Sequence, residues 1–256
     1  MSLSKEEERY LENIYNNPKS VGSFGGLNNL YRKVQKDKKF AISKNQLKKW
    51  LQKQESYTLH KQVKRKFPRN KVVVGGINQQ WDIDIADLSL FARQNKGYKY
   101  FLLSIDVFSK YVRIVPLKTK NADEVLKAFE KMINEEKPMS IHSDRGTEFT
   151  NKKFQAFLDS NHIKHFHTNN ELKAMVAERA IKTIKLKIYK YFTHSKNYSW
   201  IDVISDITNT YNNTKHSTLK MAPNQVNQTN EDSVWNTLYN QHSLNHPMFS
   251  FNFPLI

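Results

Sequence analysis

The chain has 256 residues, of which 38% are hydrophobic and 12% aromatic, so its composition excludes global disorder. It contains no cysteine, which excludes disulfides and any zinc site built on cysteine ligands. Its 41 lysines and arginines exceed its 24 aspartates and glutamates and give a formal net charge of +17. Such a surplus favours a polyanionic partner such as nucleic acid, although charge alone leaves open a protein that is merely basic.

Residues 1–56 are predicted to form a small helical domain of three helices. Ser4 with Glu7, and Ser43 with Gln46, have the spacing of capping boxes, which mark helix starts. Between them, LNNLYRKVQK has apolar residues at helical spacing. Three short helices with a basic third one are typical of a helix-turn-helix-like DNA-binding or assembly domain, and equally of an arm that only packs on the next domain.

Residues 57–76 are predicted to be a basic linker. The stretch KQVKRKFPRNK within them contains no acidic residue, whereas a solvated helix face usually mixes both signs. Its basic side chains are therefore candidate DNA contacts. They include Lys64, Arg65, Lys66 and Arg69.

Residues 77–226 are predicted to form an α/β domain with a mixed five-stranded sheet flanked by helices. WDIDIAD follows the apolar run KVVVGGI, which also has strand propensity, and YKYFLLSIDV and YVRIVPL complete an antiparallel meander. Asn121 and Glu124 have capping-box spacing before a helix, and MSIHS and IKHFH are the remaining strands. A long helix, KAMVAERAIKTIKLKIYKYF, and one more helix follow. Residues 227–256 form a C-terminal extension in which VWNTLYNQH is a candidate helix.

The carboxylates of WDIDIAD need an explanation, because acidic residues are depleted in strands and like charges held together are destabilising. Asp84 lies in this strand, Asp144 follows MSIHS, and Glu178 lies on the long helix. Three carboxylates from three elements can converge at one edge of a sheet and bind Mg²⁺, which prefers oxygen ligands and leaves positions for phosphate oxygens. Two such ions would clamp both oxygens of an in-line phosphoryl displacement. Lone aspartates at strand ends are more often turn caps, so each position alone is weak support.

Four motifs in order strengthen that interpretation: WDID, IDVFSKY, IHSDRGTEF and VAER. They resemble the motifs of the DDE integrases of retroviruses and long-terminal-repeat retrotransposons, and most closely those of Polinton/Maverick DNA elements. YNNTKHSTLKMAPNQV resembles the tail that follows the catalytic helix in retroelement integrases. The resemblance covers about residues 50–226. It implies an RNase H-like fold, a catalytic and metal-binding triad of Asp84, Asp144 and Glu178, and Mg²⁺ as cofactor, with Mn²⁺ as a substitute and no zinc.

The family pattern also separates the two aspartates of the strand. It places the ligand three residues after Trp81, which selects Asp84 over Asp82. The position of Asp82 is usually uncharged in relatives. Since side chains alternate along a strand, Asp82 is expected on the same face as Asp84, either as a group that supports the ligands or as a tolerated substitution.

The basic residues that follow Glu178 on the long helix are candidate DNA contacts. Lys182 and Lys185 lie four and seven residues after the carboxylate and therefore share its helix face. The matching lysines of retroviral integrases contact the viral DNA end, and Arg179 is a further candidate. The alternative is a solvated basic face that also includes Lys187 and Lys190.

The function implied is that of a DNA integrase, which processes the 3′ ends of a mobile element and joins them to target DNA by metal-dependent phosphoryl transfer. Its partners would be element and target DNA and further copies of itself. A catalytically silent, domesticated DNA-binding protein would be favoured by loss of a triad carboxylate, and none is lost. A stand-alone RNase H-like nuclease is the other alternative, which the tail motif disfavours.

Two features depart from the family. Retroviral integrases carry an N-terminal zinc domain with histidine and cysteine ligands, so residues 1–56 must act without zinc. About thirty residues follow the tail motif, fewer than the SH3-like module or chromodomain of many relatives needs.

We further expect no membrane partner, since no apolar run reaches the roughly 18 residues of a membrane span. An intracellular protein is expected, nuclear if the host is a eukaryote.

Overall fold

A five-stranded sheet forms the centre of the structure, a computed structural model that describes residues 3–60, 72–134, 136–167 and 175–239. In chain order the strands are β1 (Gln80–Asp87), β2 (Tyr100–Asp106), β3 (Val112–Leu117), β4 (Ser140–Ser143) and β5 (Lys164–His167). Their order across the sheet is β3-β2-β1-β4-β5; β1, β2 and β3 are antiparallel, and β1, β4 and β5 are parallel. The predicted mixed five-stranded sheet is confirmed, and its central strand is WDIDIAD.

Helices precede the sheet and cover both of its faces. They are α1 (Lys5–Tyr15), α2 (Leu27–Asp37), α3 (Lys44–Lys53), α4 (Glu55–Thr58), α5 (Ala122–Ile133), α6 (Thr147–Thr150), α7 (Lys152–Ser160), α8 (Met175–Ser195), α9 (Ile204–Asn213) and α10 (Glu231–Tyr239). Short 3₁₀ helices span Ser89–Asn95, Pro223–Gln225 and Gln228–Asn230. Within the described residues, no helix is both long and apolar enough to cross a membrane.

Side-chain alternation along β1 decides which layer each residue meets. Trp81 and Ile83 point to one face and pack in a core with α5 and α7. Ala86 points to the opposite face and packs in a core with α8 and α9. Because Asp82 and Asp84 have the same parity as Ala86, both lie on the α8 face of the sheet, as strand alternation predicted.

The N-terminal helices have a hydrophobic core of their own, in which Leu11, Leu30 and Trp50 are buried. Both capping boxes predicted here, at the starts of α1 and α3, are present. Tyr191 of α8 packs against the same core, and α4 contacts α8. The helices therefore pack on the domain that follows, and a DNA-binding role for them is a separate hypothesis.

The apolar run before β1 does not form a strand. Residues 72–79 form turns and irregular backbone, and Val74 is buried in a cluster with Val234 and Leu238 of α10. The Val74 N–H donates to the Tyr239 hydroxyl, and the Ile77 N–H donates to Glu231. The strand propensity of this run did not predict its structure. Its amides donate hydrogen bonds to side chains of a helix more than 150 residues away along the chain, and not to a neighbouring strand.

The capping box predicted at the start of α5 is only half formed. The Asn121 side chain accepts from the Glu124 N–H. The Glu124 carboxylate instead accepts from the backbone amides of Lys118 and Thr119. It thus fixes the loop between β3 and α5 rather than the cap residue itself.

Candidate active site

The three predicted carboxylates come from β1, the end of β4 and the first turn of α8. Asp84 is half-buried in β1, and its Oδ1 accepts from the Ile85 N–H at 2.7 Å. Asp144 directly follows β4 and is exposed, and its Oδ1 accepts from the Gly146 N–H at 3.0 Å. Glu178 is exposed on α8. Asp144 therefore also caps its own turn, which is compatible with binding a ligand through its remaining oxygen.

The electrostatics of Asp84 link it to the other two carboxylates. Its pKa is raised to about 6, chiefly by burial and in part by the negative charges of Asp144 and Glu178, whereas the Ile85 N–H and the charge of Lys120 act in the opposite direction. The charges of Asp144 and Glu178 therefore reach Asp84, and Glu178 lines the same cleft as Asp84.

The donor set in this region suits a hard divalent cation. Carboxylate oxygens are the ligands that Mg²⁺ prefers, and a cation would relieve the repulsion that raises the pKa of Asp84. Across the described parts of the chain, no three histidine, aspartate or glutamate side chains lie close enough to hold one ion as they stand. Binding therefore requires the exposed side chains of Asp144 and Glu178 to reorient.

Asp84 and Glu178 line one open cleft of about 620 Å³. Lys182 and Lys185 lie beside them, and the rest of the lining is apolar and aromatic. These further lining residues are Leu59, His60, Ile181, Leu186 and Tyr189. The cleft therefore combines negative charge, positive charge and an apolar wall, as a binding site for part of a polynucleotide would.

Sequence reasoning missed the part of this wall that precedes the sheet. His60 stacks on Tyr189 at a ring separation of 6.3 Å, and its Nε2 lies 2.9 Å from the Thr193 hydroxyl. Leu59 is 66% exposed at the cleft. No sequence signal pointed to either residue, because their contacts depend on how α4 packs on α8.

The basic residues of α8 have different environments. Arg179 and Lys182 are exposed and remain candidates for contact with phosphate. The Lys185 Nζ donates to the Asp87 carbonyl at 3.0 Å and lies 5.9 Å from the Tyr189 ring. Lys185 therefore holds β1 against α8 as well as facing the cleft.

Two further lysines contradict the solvated-face alternative. Lys187 and Lys190 are only 9% and 5% exposed, and their Nζ atoms donate to the Ser23 and Phe24 carbonyls at 2.8 and 3.0 Å. They bind the N-terminal helices, not water. The predicted DNA contacts of the basic linker, Lys64, Arg65, Lys66 and Arg69, lie outside the described residues.

Comparison with known proteins shows which family the sheet-forming part of the chain resembles. Residues 76–170 match the family model described as Integrase core domain. An uncharacterized transposon-derived protein of Caenorhabditis elegans is 31% identical over 141 residues, which are 54% of this chain and 49% of that protein. The Pro-Pol polyprotein of feline foamy virus is 23% identical over 137 residues, which are 52% of this chain and 12% of the polyprotein. The chain thus spans about half of the first relative and a small part of the second.

Solved structures show the same architecture. The HTLV-2 integrase catalytic core domain in complex with magnesium is 26% identical, with a TM-score of 0.50, over 58% of this chain and 95% of that one. A simian T-cell lymphotropic virus intasome chain is 19% identical, with a TM-score of 0.56, over 93% of this chain and 79% of that one, a similarity of fold alone. Residues 76–170 thus match an integrase core domain, and the chain is similar to a transposon-derived protein and to a retroviral integrase core.

Proposed function

We propose that this protein is a DNA integrase, a divalent-metal-dependent polynucleotidyl transferase that trims the 3′ ends of a mobile element and joins them to target DNA. One observation carries the proposal. In a chain with an integrase core domain, the charges of Asp144 and Glu178 both act on Asp84. All three carboxylates of the DDE pattern are therefore present, and Asp84 and Glu178 line the same cleft.

The chemistry needs no covalent protein intermediate. In the first step water attacks a phosphodiester near the element's 3′ end, and the 3′ oxygen of the retained strand leaves. In the second step that 3′ hydroxyl attacks a target phosphodiester, a new P–O bond forms, and the target's own 3′ oxygen leaves. Mg²⁺ or Mn²⁺, bound by Asp84, Asp144 and Glu178, would supply activation of the attacking oxygen and stabilisation of the leaving oxygen.

The chain's own residues position the DNA for these steps. Asp84 lies on the central strand of the sheet, so its backbone is held by neighbours on both sides. The cationic side chains of Arg179 and Lys182 are exposed on the helix that carries Glu178, where they would neutralise phosphates next to the scissile bond. The cleft wall would contact the sugar and base beside that phosphate.

Several finer features belong to the same proposal. The protein would be an integrase of the Polinton/Maverick type, whose motifs its own resemble most closely, and the N-terminal helices and the basic linker would contact DNA or assist assembly. Two element ends must meet one target, so the active form would be a homo-oligomer on DNA, and a solved structure of similar fold is an intasome. Work on chromosomal DNA would place the protein in the nucleus of a eukaryotic host.

The test is a strand-transfer assay with labelled duplex ends in Mg²⁺ and in Mn²⁺, comparing the wild type with Glu178→Gln. Glutamine preserves size but removes the charge of a metal ligand, so we expect joining to fall by at least about 10²-fold. Glu6→Gln is the matched control, because Glu6 is likewise an exposed glutamate in the first turn of a helix, α1. It should join ends as the wild type does.

The other outcomes separate the alternatives. If the wild type and Glu178→Gln bind DNA equally, with affinity falling steeply as salt rises, and neither joins ends, the protein is a silent DNA-binding protein. Metal-dependent cleavage without joining identifies a nuclease of the same fold. Joining that persists in Glu178→Gln would remove that residue from the active site.

A further inference from the structure

Asp82 is a carboxylate buried beside the candidate active site, and the proposed mechanism does not use it. It is 1% exposed, although it lies only two residues before Asp84 on β1. Burial of a carboxylate costs several kcal/mol unless partners compensate for lost hydration. Its partners therefore indicate what Asp82 does.

Hydrogen bonds connect Asp82 to α8 and to its own strand. Its Oδ2 accepts from the backbone N–H of Val176, in the first turn of α8, at 3.3 Å. Its Oδ1 accepts from the Gln80 Nε2 at 2.9 Å. A single side chain thus ties the start of α8 to β1.

The third partner comes from β4. His142 is paired directly with Asp82 across the parallel β1–β4 ladder, and its Nδ1 lies 3.3 Å from the Asp82 Oδ1. His142 is 6% exposed and stacks on Phe166 of β5. Asp82 is therefore in contact with β4 as well as with α8.

The contacts of Asp82 share one relation to the triad. Asp82 lies two residues before Asp84, His142 two before Asp144, and Val176 two before Glu178. Asp82 thus contacts β4 and α8 at residues that lie two positions before Asp144 and Glu178 in the chain. The negative charge of Asp82 also acts on Lys110, whose pKa burial lowers to about 8.

We propose that Asp82 is a positioning residue, which holds β1, β4 and α8 in the relative placement that lets the triad bind a divalent cation. The part of this inference that concerns metal binding rests on the proposed function, whereas the part that concerns the placement of β1, β4 and α8 does not. It explains why a strand already bearing one charged ligand carries a second, buried carboxylate.

The test uses Asp82→Leu, which keeps the approximate volume and removes both acceptors, and Asp82→Asn, which keeps one. Supporting groups around metal ligands typically contribute about 10–100-fold in metal affinity. We therefore expect Asp82→Leu to raise the half-maximal Mn²⁺ concentration for strand transfer by at least about tenfold. Its affinity for DNA in the absence of divalent metal should change little. Asp82→Asn should give an intermediate shift, and it also provides a variant that folds if the leucine does not.

Asp106→Asn is the matched control. Asp106 is also 1% exposed, but it accepts from Phe108 and Ser109 within its own turn. Its variant should lose stability without a change in the Mn²⁺ dependence. If Asp82→Leu behaves in the same way, Asp82 is only structural and the proposal is wrong.

Hydrogen exchange on the metal-free proteins tests the structural half independently. In Asp82→Leu the amides at the start of α8 should exchange faster than in the wild type, and those of α5 should not. If the wild type neither responds to metal nor joins DNA, yet this local change occurs, the integrase proposal fails, and of the Asp82 proposal only the placement of α8 on β1 stands. Unchanged exchange together with unchanged metal dependence overturns the Asp82 proposal alone.

Discussion

At the scale of single residues, Asp84 destabilises the metal-free protein. Its pKa is about 6 in the folded chain against an ordinary value of 3.8, so the folded state binds its proton more tightly than the unfolded state does. Stability therefore falls as the pH rises from about 4 to about 6, and above that range the cost is present in full. A divalent cation bound at this carboxylate would offset the cost.

Asp84→Asn should therefore stabilise the metal-free protein near neutral pH, by about 1–3 kcal/mol in the free energy of unfolding. It should also abolish any stabilisation by Mg²⁺ or Mn²⁺. Urea denaturation in EDTA and in each metal measures both effects. Asp87→Asn is the control on the same strand, because Asp87 accepts from the Ser89 N–H and its pKa is lowered. A gain in stability for Asp87→Asn, or none for Asp84→Asn, would contradict this account.

The lysines of α8 show how far residue-scale reasoning from sequence reaches. Helical periodicity correctly placed Lys182 in the cleft beside Glu178. It could not show that Lys187 and Lys190 meet backbone carbonyls of Ser23 and Phe24. The direction in which a side chain leaves its helix is a local property, whereas its partner depends on which other segment packs there.

At the scale of elements, Asn95 joins a 3₁₀ helix to a loop that lies far from it in the chain. It is fully buried, and its Oδ1 accepts from the Trp200 and Ile201 N–H groups at 2.7 and 2.9 Å. Its Nδ2 donates to the Phe91 and Tyr198 carbonyls. The 3₁₀ helix after β1 is thereby fixed to the loop between α8 and α9.

Asn95→Leu should cost about 2–4 kcal/mol of stability, because it leaves buried amides and carbonyls unpaired. Asn95→Asp keeps the acceptor for the Trp200 and Ile201 N–H groups and loses only the donors to Phe91 and Tyr198. It should therefore cost less stability than Asn95→Leu. The midpoint of urea unfolding measures both variants. A leucine variant as stable as the wild type would show that water or a shifted loop replaces these bonds.

Elements with strong local signals were predictable from sequence. β2 and β3 are rich in apolar residues, and Ser4 and Ser43 cap their helices as expected. The residues before β1 were not predictable, because the amides of Val74 and Ile77 pair with α10. The three carboxylates were proposed as a triad from strand ends and motif spacing, and that role stays a prediction, whereas the His60 side of the cleft depends on the packing of α4 on α8.

At the scale of the whole molecule, α8 connects the candidate active site to the N-terminal helices. One face of α8 packs on the sheet, another lines the cleft, and a third carries Lys187 and Lys190 to the loop between α1 and α2. The Lys190 Nζ also lies 5.2 Å from the ring of Tyr57, a residue of α4, and α4 itself contacts α8. Movement of the N-terminal helices would therefore displace the helix that carries Glu178.

The two buried lysines give this connection a pH dependence of defined sign. Burial lowers the pKa of each to about 8, from an ordinary value of 10.5. Between these values the unfolded chain binds more protons than the folded chain. Stability contributed by the pair therefore rises with pH from about 8 to about 10.5, and the burial penalty is present in full below pH 8.

Comparison with Lys187→Met isolates this effect. The wild type should gain about 1–3 kcal/mol of unfolding free energy relative to the variant between pH 7 and pH 10. The other ionisable groups near the lysine pair, among them His60 and His194, are common to both proteins and cancel in the difference. Lys182→Met, at an exposed position on the same helix, should show a flat difference over this range. If the Lys187→Met difference is also flat, or falls with pH, the ammonium of Lys187 is solvated and does not hold the N-terminal helices on α8.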